Sequence, residues 1–133
     1  MNNLEEVRQV LFSTFKSFHA ASFAVVPVNY PNYLTIDAEH LDAPFVSVQL
    51  SFNFGTEAYD ISSATDIVRG ELLISYLYPE GTGLNRSMTY SDMLRSNFCF
   101  KKISGISFKG LKILEVSPAP GIVGQMNVLG FLI

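Results

Sequence analysis

The sequence predicts an α+β fold: an antiparallel β-sheet of four to five strands with two helices packed on one face. Three observations carry this. An amphipathic helix opens the chain, a cleanly alternating strand occupies 45–54, and two apolar runs at the carboxyl end flank a Ser-Pro-Ala-Pro-Gly turn. At 133 residues the chain makes one domain, 1–133, with room for one core.

The helix comes first. Over 3–20, Leu4, Val7, Val10 or Leu11, Thr14, Phe15 and Phe18 recur at spacings of three and four, with Asn2 or Asn3 available as an N-cap and Glu5 and Glu6 in the first turn. Val25 to Val28 is a candidate short strand, and the Tyr-Pro at 30–31 pushes the chain into extended or turn geometry. In 45–54, Val46, Val48, Leu50, Phe52 and Phe54 face one way and Ser47, Gln49, Ser51 and Asn53 the other, a half-buried strand. The next apolar run, 67–78, puts Leu72, Ile74, Tyr76 and Tyr78 on one face, opposite Glu71, Leu73, Ser75 and Leu77.

These two strands read as a hairpin with a loop of about ten residues, longer than hairpins ordinarily use. Pro79, Gly81 and Gly83 end the second strand. A helix then runs from Leu84 to Asn97, burying Leu84, Met88, Ser91, Leu94 or Met93, and Phe98. Strands at 106–116 and 122–133 complete the pattern. Short, hairpin-like connections favour an antiparallel sheet with both helices on one side.

Such a sheet leaves its second face uncovered by helices, yet Leu73 and Leu77 lie there and the last strand is apolar on both sides. Hydrophobic residues make up 48% of the chain against 16% charged, sparse polar cover for a small domain. A neighbouring subunit or a partner protein is the expected cover.

Composition excludes several functions. A net charge of -3 argues against binding nucleic acid through its phosphates. The charge is unevenly spread: residues 1–80 hold ten acids and three bases (10 against 3, net -7), and 81–133 hold two acids and six bases (2 against 6, net +4). That polarity suits contacts between unlike ends of neighbouring subunits. No apolar run is long enough to span a membrane, and the acidic start is unlike a secretory signal, so the expectation is a cytoplasmic protein. Cys99, between Phe98 and Phe100, is the one cysteine and reads as a buried structural thiol.

Asp37, Glu39 and His40 are the one local cluster of potential metal ligands. They read as a solvated acidic loop, so no metal or cofactor is expected. With His19 and His40 as the available bases and no nucleophile elbow, catalysis is not expected. The Gly-Thr-Gly of 81–83 precedes a helix but lacks the rest of a phosphate-binding fingerprint.

In this order of elements the sequence resembles the tail terminator and minor tail proteins of long-tailed bacteriophages. The residues that carry the resemblance are LEEVRQVLFSTFKSF, the Tyr-Pro-Asn of 30–32, PFVSVQLSF at 44–52, RGELLISYLYPEGTGLNRSMTYSDMLRSNF and GISFKGLKILEVSPAPG. The last segments follow the family's pattern of a strand ending in an aromatic and Pro, a Gly-rich turn and a helix with a central Asp, here Asp92. The last strand is more apolar than the family's usual end, which leaves the carboxyl-terminal contacts open.

The resemblance implies a non-enzymatic virion protein forming a hexameric ring. It would cap the tail tube, stop its growth and present a surface for head joining, with the genome passing through the lumen and no membrane contact. The implied partners are other copies, the tail tube protein and a head-completion or neck protein. The hydrophobic and charge patterns nominate the 55–66 loop (Glu57, Tyr59 and Asp60), with Leu73 and Leu77, for protein contacts. Arg69, Arg86 and Arg95 are candidates for salt bridges or for lining the lumen. The alternatives are a neck or head-completion connector and, from another class, a metal- or ligand-binding domain using Asp37, Glu39 and His40.

Overall fold

The computed structural model describes residues 4–23, 26–30, 43–53, 59–60, 65–66, 69–81 and 85–133. Along the chain these form α1 (Leu4–Ser22), β1 (Val28–Asn29), β2 (Phe45–Asn53), β3 (Tyr59–Asp60), β4 (Thr65–Asp66), β5 (Arg69–Pro79), α2 (Asn85–Phe98), β6 (Lys102–Ile103), β7 (Ile106–Ala119) and β8 (Ile122–Leu132). The main sheet runs β1-β2-β5-β8-β7-β6. Its five strands β2, β5, β8, β7 and β6 are mutually antiparallel, as expected for this α+β class, and the two-residue β1 adds a parallel edge beside Val46 and Ser47.

Alternation decides the core. Val46 and Val48 of β2, Leu72, Ile74, Tyr76 and Tyr78 of β5, Ile106 and Phe108 of β7, and Leu129 and Phe131 of β8 face both helices. From α1, Val7, Leu11, Phe15 and Phe18 are buried, the stripe read from the sequence. Burying one such side chain contributes about 1.5–3 kcal/mol. Aromatic edges join the layers: Phe18 meets Phe98 of α2 at 5.3 Å between ring centres, and Phe98 meets Phe108 of β7 at 5.3 Å.

Helix α2 differs in phase from the expectation. Met88, predicted in the core, is 42% exposed, while Ser87 and Tyr90 are buried beside the predicted Ser91, Leu94 and Phe98. The cause is polar complementarity. Ser91 Oγ donates to Asn127 Oδ1 of β8 (2.6 Å), and Asn127 Nδ2 donates to the Ile74 carbonyl of β5 (3.0 Å). The two serines are small enough to seat the helix over that amide, so a polar stripe faces the sheet and the longer methionine is turned out. The predicted contact at Leu84 lies outside the described residues.

Two short elements were not expected from the sequence. Ser104 and Gly105, with φ of 52° and 85°, form a two-residue turn joining β6 to β7. Both positive angles match the twist a tight hairpin needs. The connection between β2 and β5 is longer than expected and contains the β3–β4 pair, Tyr59 opposite Asp66 and Asp60 opposite Thr65. The last hairpin closes tightly at Pro120-Gly121, where Gly121 has φ 79°.

Candidate functional site

The second face of the sheet is where the sequence places its unpaid apolar surface. The register lines up three rows across it: Phe45, Leu77, Gly124 and Val116; Ser47, Ser75, Met126 and Leu114; Gln49, Leu73, Val128 and Lys112. The first row closes on itself. Phe45 and Leu77 are each 5% exposed and cluster with Ile122, Val116 packing alongside. Gly124 allows this closeness, because a Cβ there would stand 2.9 Å from the Leu77 Cα and nearer still to the Tyr76 carbonyl. Leu77 is therefore covered within the chain. Leu73 is half-buried and lines, with Ser47, Gln49, Ser75 and Met126, a groove of about 380 Å³.

The β7 side is more open. A trough of about 710 Å³ lies between α2 and β7, lined by Asp92, Arg95 and Ser96 of the helix, Cys99 and Phe100 after it, and Gly110, Leu111 and Ile113 of the strand. Phe100 is 84% exposed and holds a left-handed φ of 60°. Ile113 and Leu114, on opposite faces of β7, are 38% and 42% exposed.

Among the described residues, only β6 pairs with the outer side of β7, at Ile106 and Ser107, followed by one bond from the Phe108 amide to the Lys101 carbonyl (2.9 Å). Burial pushes the Cys99 thiol up, partly offset by Arg95 and by the Leu111 amide. A thiol held protonated this way is a poor nucleophile.

Of the arginines nominated from the sequence, Arg95 lines this trough. Arg86 is exposed at the start of α2 and acts electrostatically on the Tyr76 hydroxyl, tempering the upward shift that burial imposes there. Arg69 begins β5, half-buried opposite Asn53 and Leu132, with its Nε buried and, among the described residues, without a hydrogen-bond partner. The three do not converge. Tyr59 and Asp60 lie on the β3–β4 pair, and Glu57 lies outside the described residues.

His19 is buried and both its ring nitrogens are engaged. Nε2 is 2.6 Å from the Val26 carbonyl, which can only accept, so Nε2 carries the proton and Nδ1 accepts from the Tyr90 hydroxyl at 3.1 Å. That arrangement ties the end of α1 to α2 and leaves no free lone pair for proton transfer. Asp37, Glu39 and His40 lie outside the described residues, and among the described residues no group of three metal-ligating side chains comes together. No described helix is long and apolar enough to cross a membrane.

No family model matches the sequence, and no curated protein matches it. A solved structure whose protein carries a serial designation without a functional description is similar across 98% of this chain and 95% of its own, with a TM-score of 0.71 at 12% identity. At that identity the likeness establishes the shared fold.

Proposed function

We propose that this chain is a non-enzymatic structural protein of the virion, a tail terminator subunit of a long-tailed bacteriophage. In this reading it assembles in the host cytoplasm into a ring, hexameric by the family's habit, that caps the tail tube and stops its polymerisation. The ring then offers its other face to a head-completion or neck protein, and the genome passes through the lumen without sequence-specific contacts.

The observation that supports assembly is the β7 side of the sheet, where Phe100 after α2 and Ile113 and Leu114 of β7 are exposed and, among the described residues, no strand pairs with the outer side of β7 beyond Ile106 and Ser107. A monomeric protein rarely leaves a long apolar edge open, because it is a template for pairing with another chain. The terminator assignment itself comes from the sequence resemblance carried by 69–98 and 105–121.

Electron microscopy of tails assembled without this protein tests the function. Overlong tubes are expected. Tails of normal length would refute termination, and binding to the portal side in place of tube protein would move the assignment to a neck connector.

A further inference from the structure

We infer that the cavity near the turn of the β7–β8 hairpin is a binding site for an organic cation, an ammonium or guanidinium group held by the Gln125 amide, the Glu115 carboxylate and the Ser117 hydroxyl. The site stands apart from the ring reading.

The register builds it. Glu115, Gln125 and Tyr76 lie directly opposite one another on β7, β8 and β5, in one row on the face that carries the helices. The neighbouring row holds Asn127, whose amide is engaged at both ends by Ser91 and the Ile74 carbonyl. Gln125 has no comparable support. It is 5% exposed, and its Oε1 is buried without a hydrogen-bond partner among the described residues, as is the Tyr76 hydroxyl beside it. An amide oxygen buried and unpaired is destabilising, so its retention here is explained by a donor that arrives from outside the chain.

Gln125 lines a cavity of about 350 Å³ together with Tyr78, Glu115, Ser117 and Val123. The polar groups there offer acceptors. Ser117 Oγ donates its proton to the Ile122 carbonyl (3.3 Å), which leaves its lone pairs for another donor. Glu115 is exposed and forms no ion pair among the described residues, and no described Lys or Arg lines the cavity. Tyr78 adds an aromatic wall. A carboxylate, an amide oxygen and a hydroxyl beside an aromatic ring complement a group that carries several N–H donors and a positive charge. Calcium or magnesium would need more oxygens than these three side chains supply. The cationic group can come from a free amine or from a Lys or Arg side chain of another protein chain, since the recognition is the same.

The test is an NMR titration of the isotope-labelled full chain, followed at the Gln125 side-chain amide and the Gly124 and Ser117 backbone amides. Two probes separate the sources: putrescine, a free diamine, and Nα-acetyl-lysine methylamide, which carries its ammonium as a protein does. Sodium chloride at matched ionic strength is the reference. Saturable shifts with a Kd of about 1 mM or tighter are expected with at least one probe. Saturation by putrescine alone assigns the site to free amines, and saturation by the lysine derivative extends it to protein side chains.

Glu115→Gln, a change at an exposed position, should weaken binding about tenfold, the scale of losing a charge-assisted hydrogen bond. Gln125→Leu should abolish binding yet melt no lower than the wild type, because an apolar side chain of similar size replaces an unpaired amide. If that variant fails to fold, Glu115→Gln decides. Signals that ignore both probes, or that move equally in sodium chloride, overturn the site and leave water as the partner of Gln125. Binding unchanged in Glu115→Gln overturns the cation assignment. None of these outcomes bears on the ring reading, which the assembled tails test separately.

Discussion

Asn127 sits at 0% exposure in the middle of the sheet with both ends of its amide in use, accepting from Ser91 and donating to the Ile74 carbonyl. Asn127→Ala leaves the Ser91 hydroxyl and a strand carbonyl without that partner and opens a void. It should lower unfolding free energy by about 2–4 kcal/mol in urea titrations. Tyr90 makes the corresponding link on the other side of α2, and burial, with Tyr30 and Tyr76 nearby, pushes its phenol well above the ordinary range.

The sign of the pH effect follows. The unfolded chain gives up this proton near pH 10, the folded one only at higher pH. The stabilising contribution is therefore complete below pH 10 and is lost as pH rises beyond it. Alkaline unfolding of the wild type should begin above pH 10, and Tyr90→Phe should flatten that limb while losing about 1–3 kcal/mol at neutral pH through the unpaired His19 nitrogen. The helical spacing placed Ser91 on the buried face, but its partner was not legible, because an asparagine or a histidine in the sequence reads as surface until the groups it meets on another element are known.

At the scale of elements, the strands were the most legible part and the phase of α2 the least. Period-two alternation read over 45–54 and 67–78 predicts the inner and outer faces observed in Phe45–Asn53 and Arg69–Pro79, since both strands lie mid-sheet where one residue's slip would invert every side chain. In α2 the apolar residues are too few to define one stripe, and polar contacts with β8 set the rotation. Leu94→Ala should therefore cost about 2–5 kcal/mol, and Met88→Lys should stay within about 0.5 kcal/mol, both read from thermal or denaturant melts.

The β6–β7 hairpin had a signal in Ser104-Gly105 between Ile103 and Ile106, but strands of two residues give alternation nothing to register. Gly124→Ala should also destabilise, by about 1–3 kcal/mol, because the added methyl meets the backbone of β5 rather than a movable side chain.

At the scale of the whole molecule, the same sheet has one face sealed by helices and another sealed only in part by its own strands. The need for a cover on the second face was legible in Leu73 and Leu77, but the answer divided: both line one groove, where Leu77 is closed in by Phe45 and Ile122 and Leu73 stays half-buried. Of the five large apolar side chains exposed among the described residues, three lie on the β7 side, Phe100, Ile113 and Leu114, and the other two are Leu4 of α1 and Met88 of α2.

The sequence by itself determined the α+β class, the two helices, the four long strands and the inward face of the two strands with strict alternation, because those follow from periodicity within a few consecutive residues. Only the tertiary structure decided which strand stands at an open edge, which polar groups pair in the core and which leucine its own chain covers. Those depend on strand order and register, fixed by contacts between residues far apart in the chain, and no local pattern encodes them.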